Sequence, residues 1–454
     1  MGLFLHAQRI PSRLFHCHHC NDLLNPIRTR YDFDFSSPPA QEAIRIINRL
    51  REAGFTAYLA GGSVRDALLG KSPKDYDVAT DATPDAIRDV FGRKRTLAFG
   101  ASFGVMGVLP DRRSASPGDS RQASVEKVEP TEVATFRSDG VYLDGRRPDS
   151  VHFGNAEADA LRRDFTINGL FFDPVESQII DYVGGREDLN RSLLRTIGDP
   201  RQRFAEDKLR MLRAVRFATT ISFQIDAETA NAIAENAGEI EVVSGERIGV
   251  EMRRCMASEH LLSGLDYLRE LQLAQHVLPE LLQMDHARIA QFFQKRRPRD
   301  FPVALAILLL ASPAANAALK AITERWKLSN EEVRIVTTAL RTAPRLAIAH
   351  QVPWSKIQPI LTDRDAAFVL DVASDFAAAE GLGDEGIRRV KEALQLPADV
   401  LDPPPLLNGS DLAKLEIPAG PVYTKILREL RRRQLDGELT TREEAIAEVR
   451  ATQW

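Results

Sequence analysis

Two carboxylates separated by one residue, Asp75 and Asp77, follow a pair of glycines, Gly61 and Gly62, along the chain. Side chains at positions i and i+2 of a β-strand lie on the same face, so we expect the two carboxylates side by side. Like charges this close favour a bound cation, and Mg²⁺ is usually held by one or two carboxylates plus substrate phosphates. Because glycine has no Cβ, the backbone amides at Gly61 and Gly62 can approach an anion closely. The order of these features predicts nucleotidyl transfer.

Three short elements must position these groups. An apolar run at residues 57–60 predicts a buried strand, residues 64–69 predict a helix that ends at Gly70, and residues 76–79 predict a second strand. Each half of the pattern also has a common structural interpretation, because Gly-Gly is frequent in turns and Asp-x-Asp is frequent in solvated loops and helix caps. The functional prediction therefore depends on the two halves occurring together.

The spacing G-G-x-V-R-D-x-L-L-G-x-x-P-x-D-x-D, which ends at Asp77, resembles motif A of the class II CCA tRNA nucleotidyltransferases and bacterial poly(A) polymerases, a family within the polymerase β-like superfamily. The resemblance implies an α/β polymerase β-like nucleotidyltransferase head followed by a mostly α-helical neck, body and tail. It implies that Asp75 and Asp77, with Glu132, are the catalytic residues and hold two Mg²⁺ ions. It also implies that four residues cradle the triphosphate: Gly61, Gly62, Ser63 and Arg65.

Glu132 lies near the start of a strand that we predict at residues 131–136. A glutamate at this position of a strand commonly faces water, and this interpretation stays open. The functional alternative is that a neighbouring strand supplies the third carboxylate, so that two metal ions about 3.5–4 Å apart clamp the attacking and leaving oxygens. The segment E-V-A-T-F-R at residues 132–137 is similar to the strand that follows motif A in the family.

A second match, R-R-D-F-T-I-N at residues 162–168, resembles motif B, which the family uses around the sugar and triphosphate of the incoming nucleotide. Paired arginines such as Arg162 and Arg163 suit phosphate oxygens, because a guanidinium makes bidentate hydrogen bonds. Asp164 and Asn168 would then bind sugar hydroxyls. The structural alternative is a solvated charged turn followed by a helix N-cap.

The segment E-D-x-x-R at residues 206–210 resembles motif D, the family's amino-acid template for the base. We expect Asp207 and Arg210, at i and i+3, to be neighbours on one face of a helix. A carboxylate accepts from the exocyclic amine of cytosine or adenine while a guanidinium donates to the adjacent ring nitrogen. Uracil and guanine present the inverse pattern, which leaves buried groups unpaired at a cost of about 1–3 kcal/mol each. The nucleotide site that the resemblance implies also includes Arg213. Lys208 stands where the family has proline. The ordinary alternative for Asp207 and Arg210 is a surface salt bridge.

Length and composition limit the remaining possibilities. A chain of 454 residues with 44% hydrophobic residues suits two to four globular domains, and no apolar run approaches the ~20 residues of a membrane span. Three cysteines rule out a disulfide framework and fit a reducing compartment, so we predict a cytoplasmic location. Since the net charge is −4, any positive surface that binds RNA must be local.

Two basic clusters are candidates for contact with tRNA phosphates. One spans residues 295–299, and the other consists of Lys425, Arg428, Arg431, Arg432 and Arg433. The ordinary interpretation of either cluster is a solvated charged face.

The chain changes character along its length. Strands and helices alternate up to about residue 170, whereas helical periodicity dominates beyond residue 190 and no strand pattern is evident after residues 179–181. We predict five parts: an extension at 1–38 that is disordered, a nucleotidyltransferase head at 39–170, a neck with the base-reading helix at 171–260, a helical body at 261–400 and a helical tail at 401–454. Residues 111–130 form a predicted surface excursion, and residues 139–148 resemble the family's flexible loop.

The function that the resemblance implies is template-independent addition of CCA to tRNA 3′ ends from CTP and ATP, with release of pyrophosphate. A poly(A) polymerase or an enzyme that adds only A has the same head and is the nearest alternative. A catalytically inactive RNA-binding module is an alternative of a different class, and intact Asp75 and Asp77 argue against it. The sequence predicts no membrane partner and leaves the oligomeric state open.

Overall fold

The computed structural model describes residues 25–100, 103–110, 129–140 and 150–452. The chain divides into two compact units. The first comprises the described parts of residues 1–138, 153–161 and 168–185, and the second comprises those of residues 139–152, 162–167 and 186–454. Most of the predicted excursion at 111–130 and of the predicted flexible loop at 139–148 lies outside the described residues. The predicted fold class, a sheet-containing head followed by a mostly helical region, is confirmed.

The first unit is organised around an eight-stranded sheet. The strands that precede residue 182 are β1 (Ile27–Arg30), β2 (Ala57–Ala60), β3 (Asp77–Thr80), β4 (Thr96–Gly100), β5 (Val105–Val108), β6 (Thr131–Thr135), β7 (Arg137–Asp139), β8 (Val151–Phe153), β9 (Leu170–Asp173) and β10 (Gln178–Asp181). All but β7 and β8 belong to this sheet, in the order β1-β10-β9-β2-β3-β6-β5-β4. Within it, β3 and β6 run parallel and the other neighbours run antiparallel.

The predicted strands at residues 57–60, 76–79 and 131–136 correspond to β2, β3 and β6, with a shift of one residue at the ends of β3 and β6. Strand β1 was not expected, because it lies inside the predicted N-terminal extension. It pairs with β10 from Ile27↔Asp181 to Arg30↔Gln178. The sheet therefore begins at Ile27, well before the predicted start of the head at residue 39, and residues 27–30 are ordered rather than disordered.

In the described part of the first unit, four α-helices accompany the sheet, namely α1 (Pro38–Glu52), α2 (Gly62–Leu68), α3 (Pro84–Phe91) and α4 (Ala156–Leu161). Helix α1 begins at a Ser37 N-cap with proline at its first position, a combination that favours helix initiation. Its apolar stripe, which includes Ile46, Ile47 and Leu50, is fully buried where α1 packs against β2 and β3. On the opposite face of the sheet, a cluster around Phe136 and Phe171 forms a second core.

The second unit is almost entirely helical. Its helices from residue 185 onwards are α5 (Gly185–Asn190), α6 (Pro200–Glu206), α7 (Leu209–Ile221), α8 (Ala227–Asn236), α9 (Gly245–Met256), α10 (Leu261–Glu270), α11 (Ala274–Val277), α12 (His286–Phe292), α13 (Phe301–Leu310), α14 (Ala315–Trp326), α15 (Asn330–Ala347), α16 (Trp354–Leu361), α17 (Ala366–Ala379), α18 (Glu385–Ala393), α19 (Ala398–Leu401), α20 (Gly409–Lys414), α21 (Pro421–Leu435) and α22 (Arg442–Ala451). Two strands of two residues each, Leu193–Leu194 and Gln224–Ile225, pair in parallel. The sequence shows no strand pattern beyond residues 179–181, because strands of two residues are too short to produce a period-two alternation.

Helix α13 is the centre of the helical body. Its sequence is apolar on every side and nearly all of it is buried, since α15 and α17 both pack against it. A separate apolar cluster around Leu412, Ile426 and Leu430 forms the core of the C-terminal helices. Over the ranges that the structure describes, each helix is too short or too polar to traverse a lipid bilayer.

Candidate active site

The Asp-Tyr-Asp segment meets the sheet at the first residue of β3. Asp75 and Asp77 are exposed, Tyr76 between them is 6% exposed, and Val78 after them is fully buried. This alternation is the pattern of an extended chain with one solvated and one buried side. The two carboxylates therefore lie on the same side of the segment, as the sequence predicts.

Glu132 lies on β6, the strand that runs parallel to β3. The two strands are paired at Val78↔Val133, so Asp77 and Glu132, one residue earlier on each, are cross-strand neighbours. Both are exposed whereas Val78 and Val133 are buried, which places the two carboxylates on one face of the sheet. Over the described ranges, no group of three or more His, Cys, Asp or Glu side chains is arranged to hold a metal ion. Glu132 and Asp77 thus share a face without a ready-made three-carboxylate cage.

The glycine turn leads from β2 into α2. Gly61 has a φ of +67°, a conformation that favours glycine, and its amide donates to the carbonyl of Leu170 at 3.0 Å. Ser63 is 2% exposed, and its hydroxyl donates to the carbonyl of Ala60 at 3.3 Å. Within the predicted phosphate cradle, the Ser63 hydroxyl is therefore used inside the protein.

Arg65 and Asn168, which come from different predicted motifs, are in direct contact. The Nη1 of Arg65 donates to Oδ1 of Asn168 at 2.7 Å, and its Nε donates to Oδ1 of Asp66 at 2.8 Å. The Arg65 side chain is 11% exposed. Two acceptors thus fix the direction of this guanidinium, and fixed donors suit a phosphate better than mobile ones.

In the second unit, Asp164 is fixed by Arg213. Oδ2 of Asp164 accepts from Nε and Nη2 of Arg213 at 3.0 and 2.6 Å. The carbonyls of Arg162 and Arg163 accept from Arg210 and Arg203 at 3.4 and 2.9 Å. Residues 162–164 are therefore tied to helices α6 and α7 through both side chain and backbone.

Asp207 is not part of a helix, and this corrects the expected i, i+3 geometry. It caps α6 with extended backbone angles (φ −145°, ψ 106°), and α7 begins two residues later at Leu209. At this break between α6 and α7, Oδ1 of Asp207 accepts a hydrogen bond from the amide of Leu209 at 3.1 Å. Oδ2 accepts from Nη2 of Arg247, on α9, at 2.7 Å. The carboxylate of Asp207 is thus held at both oxygens.

Arg210 is oriented by different partners. It is 8% exposed, its Nη1 donates to Oε2 of Glu206 at 2.5 Å, and the same nitrogen donates to the carbonyl of Arg203 at 3.2 Å. Arg203 also donates to Oε2 of Glu206, at 2.8 Å. Glu206 therefore supports two arginines, one of which is the predicted base reader.

A buried carboxylate, Glu251, supports the next turn of α7. It is 3% exposed, accepts from Nε of Arg216 at 2.7 Å and lies 3.5 Å from Nη1 of Arg213. Burial disfavours the charged Arg213 guanidinium, but Asp164 and Glu251 hold the pKa of Arg213 above its usual value. Burial lowers the pKa of Arg216, and Glu251 offsets part of that shift.

No role was predicted from the sequence for four residues that hold the site in place: Arg203, Arg216, Arg247 and Glu251. Spacings of three and four residues could have suggested the Arg203–Glu206 and Glu206–Arg210 pairs. The Arg247–Asp207 and Arg216–Glu251 pairs each join α9 to a distant part of the chain. The spacing of charged residues along one helix therefore cannot predict these pairs.

The two basic clusters differ from their expected form. Arg297 and Arg299 are paired with acidic residues of α17, so they are internal supports. Arg431, Arg432 and Arg433 are likewise ion-paired within the tail. By contrast, Lys425 and Arg428 are exposed and line a cavity of about 650 Å³ on α21.

Comparison with known protein families divides the chain into three matched segments. Residues 57–195 match the poly A polymerase head domain. Residues 222–284 match a family described as "Probable RNA and SrmB- binding site of polymerase A". Residues 300–449 match domain 2 of the tRNA nucleotidyltransferases. The head match contains the glycine turn, the Asp-x-Asp segment and residues 162–168.

Similar proteins cover nearly the whole chain. The CCA-adding enzyme of Geobacillus stearothermophilus is 33% identical over 421 residues, which are 90% of this chain and 96% of that enzyme. The CCA-adding enzyme of Lactiplantibacillus plantarum is 32% identical over 393 residues, 85% and 90% of the two chains.

Solved structures agree with these relatives. The crystal structure of the Bacillus stearothermophilus CCA-adding enzyme in complex with CTP has a TM-score of 0.68 and 30% identity, and the match covers 91% of this chain and 98% of that one. The Thermotoga maritima CCA-adding enzyme complexed with tRNA has a TM-score of 0.61 at 20% identity, with 92% and 96% covered, and supports the fold alone. This chain therefore belongs to the family of CCA tRNA nucleotidyltransferases and bacterial poly(A) polymerases, and within it the chain is a CCA tRNA nucleotidyltransferase.

Proposed function

We propose that this enzyme completes the 3′ ends of tRNA in the cytoplasm by adding C, C and A from CTP and ATP, without a nucleic-acid template and with release of pyrophosphate. One similar enzyme bears directly on this proposal, because it is 30% identical to this chain and was solved in complex with CTP. The observation that carries the proposal is the separate support of the two base-reading residues, Asp207 by Arg247 and Arg210 by Glu206.

This support matters because template-independent selection needs a fixed pattern of donors and acceptors. An oriented carboxylate at Asp207 can accept from the exocyclic amine of cytosine or adenine. An oriented guanidinium at Arg210 can donate to the neighbouring ring nitrogen. A base with the inverse pattern leaves both groups unpaired, and each unpaired buried group costs about 1–3 kcal/mol. Discrimination of this kind is strong only where the reading groups are preorganised.

Asp75, Asp77 and Glu132 are the residues that would hold Mg²⁺. Their fit rests on the donor chemistry, because carboxylate oxygens are hard ligands. Asp77 and Glu132 are exposed on one face of two adjacent strands, and Asp75 is exposed two residues before Asp77. Mg²⁺ does not need an all-protein cage, because it retains waters and takes substrate phosphates as ligands. When bound, two such ions would lower the pKa of the terminal ribose hydroxyl and neutralise charge on the pyrophosphate.

The chain's own residues supply the remaining binding steps. Arg65, directed by Asp66 and Asn168, would donate to triphosphate oxygens beside the turn at Gly61 and Gly62. The Gly62 amide is the backbone donor proposed there, because the Gly61 amide donates to the carbonyl of Leu170. Because Asn168 accepts from Arg65 through Oδ1, its Nδ2 group is the part that would donate to a sugar hydroxyl. Asp164, Arg162 and Arg163 would contact the nucleotide from the segment that α6 and α7 hold in place, with Arg213 fixing the Asp164 carboxylate.

For the tRNA itself, the exposed pair Lys425 and Arg428 is the favoured phosphate contact in the tail. The two side chains are three residues apart on α21, on one helix face, and line the same cavity. Sequence-independent phosphate contacts of this kind bind the backbone of a nucleic acid and weaken as salt rises.

The test is incorporation of each single labelled nucleoside triphosphate into tRNA transcripts that end before CCA, after C and after CC. We expect CTP to be used on the first two transcripts and one A to be added to the third. Open-ended addition of A to any RNA end would replace the proposal with poly(A) polymerase activity, and no incorporation with Mg²⁺ present would favour an inactive RNA-binding module.

Asp77→Ala tests the metal assignment in the same assay. We expect it to abolish incorporation while tRNA binding, measured by filter retention, stays unchanged. Asp89→Ala is the matched control, because Asp89 is an exposed aspartate on α3 of the same unit. Full activity of Asp77→Ala would refute the assignment.

A further inference from the structure

Residues 31–37, between β1 and α1, form an extended segment that we call the aromatic strap. Tyr31, Phe33, Phe35 and Ser37 are half-buried, and the three residues between them are exposed. This is the period of an extended chain with one side packed against the protein. The strap is anchored at one end by the pairing of β1 with β10 and at the other by the Ser37 N-cap of α1.

Aromatic contacts fix the middle of the strap against the sheet. The ring centroids of Phe33 and Phe35 are 5.0 Å apart with nearly parallel planes, and both rings contact Phe172, at 4.9 and 5.9 Å. Phe172 is fully buried on β9, next to the β2 strand that leads into the glycine turn. Aromatic pairs in these geometries each contribute beyond the area they bury.

The strap also contacts the Asp-Tyr-Asp segment and helix α2, which carries Arg65. The hydroxyl of Ser37 donates to the hydroxyl of Tyr76 at 3.3 Å, and the ring of Phe33 lies 6.3 Å from that of Tyr76. Tyr76 is the buried residue between Asp75 and Asp77. The hydroxyl of Tyr31 donates to the carbonyl of Ala67 at 2.7 Å, near the end of α2, the helix that presents Arg65.

From these contacts we infer that the aromatic strap positions the active site: it fixes Tyr76, so that Asp75 and Asp77 are presented together, and it fixes α2, so that Arg65 is presented to the triphosphate. The physical reason is that Asp75 and Tyr76 precede β3, whose pairing with the neighbouring strands begins at Asp77. A side chain anchored on the buried side is then what determines where the exposed carboxylates point. Residues 31–37 are thus positioning residues, and this inference rests on the proposed function.

The experiment uses the full-length protein with Phe33→Ala and Tyr31→Phe. Asp32→Ala is the matched control, because Asp32 lies in the same segment on its exposed side. Binding of Mn²⁺, as a probe for Mg²⁺, is measured by electron paramagnetic resonance in the presence of CTP and without tRNA, with Asp77→Ala marking the loss of the site. Single-nucleotide incorporation is measured in parallel as a function of Mg²⁺ and CTP, and thermal unfolding shows that each variant is folded at the assay temperature.

We expect Phe33→Ala to raise the Kd for Mn²⁺ and the half-saturating Mg²⁺ concentration about tenfold, because it removes the ring contacts to Tyr76 and Phe172. Tyr31→Phe removes one hydroxyl and should raise KM for CTP about threefold with little change in kcat. Asp32→Ala should match the wild type in every measurement. A strap that only stabilised the fold would lower the unfolding temperature and leave the Mn²⁺ affinity and KM unchanged.

Unchanged Mn²⁺ affinity and KM in folded Phe33→Ala and Tyr31→Phe would overturn the inference. If Phe33→Ala does not fold, Phe33→Leu and Tyr31→Phe decide in its place. A wild type that binds Mn²⁺ in an Asp77-dependent way but adds no CCA would refute the proposed function, and the strap would still be judged by Mn²⁺ affinity. A wild type that binds Mn²⁺ no more tightly than Asp77→Ala would overturn the inference together with the metal assignment.

Discussion

Removing the guanidinium of Arg247 should weaken base selection by leaving Asp207 without one of its two supports. The bond between Nη2 of Arg247 and Oδ2 of Asp207 is 2.7 Å long, and the two side chains are only 23% and 16% exposed. Hydrogen bonds between charged groups contribute about 1.5–3 kcal/mol, and about 1.4 kcal/mol corresponds to a factor of ten. Because the amide of Leu209 still holds Oδ1 of Asp207, we expect the loss in Arg247→Met to be limited to about tenfold in discrimination between CTP and UTP.

The assay compares kcat/KM for CTP and for UTP on a tRNA transcript that ends before CCA. In Arg247→Met the CTP value should fall and the UTP value should rise or stay constant, so that their ratio falls about tenfold. Arg254→Met is the matched control, because Arg254 lies on the same helix, α9, and its side chain is exposed. Arg254→Met should leave the ratio unchanged.

An unchanged CTP-to-UTP ratio in folded Arg247→Met would refute the reasoning, because it would mean that Asp207 keeps its orientation without this bond. An equal fall in both values would also count against it. That result would indicate a loss of general positioning in α9 rather than of base reading.

Three further predictions concern stability and reactivity. Gly249→Ala should lower the free energy of unfolding by about 1–3 kcal/mol in a denaturant titration, because the new Cβ would lie 2.3 Å from the carbonyl oxygen of Trp326. Burial raises the pKa of the Cys255 thiol to about 11, so iodoacetamide at about pH 8 should leave Cys255 unmodified in the native protein, and mass spectrometry of that peptide checks this. The hydrogen bond from Arg253 lowers the pKa of Glu332, so the stability advantage of wild type over Glu332→Gln should be present above the ordinary glutamate pKa of about 4.3 and disappear as the pH falls through the lowered value. A Tm difference that is constant from about pH 7 to pH 3 would contradict it.

The elements around the glycine turn could be predicted because their signals are local. Strand β2, helix α2 and strand β3 are short, and Gly61 and Gly70, each with positive φ, mark where one element stops and the next begins. The alternation of exposed and buried residues from Asp75 to Val78 is likewise a property of neighbouring residues. Periodicity and turn chemistry are sufficient where neighbours determine the conformation.

Strand β1 and the break at Asp207 depend on residues far away in the sequence. Ile27 is exposed and becomes a strand residue only because it pairs with Asp181. Asp207 has the spacing of a helical residue relative to Arg210, but it leaves the helix and accepts from Arg247 and from Leu209. The local sequence shows the helix propensity of residues 206–210. It does not show that Arg247 on α9 stabilises the Asp207 carboxylate outside the helix.

The basic surfaces that could bind RNA also depend on contacts between residues far apart in the sequence. A cluster of arginines in a sequence predicts a basic surface, yet Arg297 and Arg299 neutralise Asp375 and Asp371 inside the helical body. Such arginines cannot release counterions from a nucleic acid, because their charge is already compensated within the protein. Exposed cations outside ion pairs contribute most to the salt dependence of nucleic-acid binding. Among the tail residues that the structure describes, Lys425 and Arg428 are exposed and belong to none of the ion pairs found there, whereas the arginines that follow them are paired. The local pairing of each arginine, rather than the number of arginines in a cluster, therefore determines where a protein with a net charge of −4 presents positive charge to RNA.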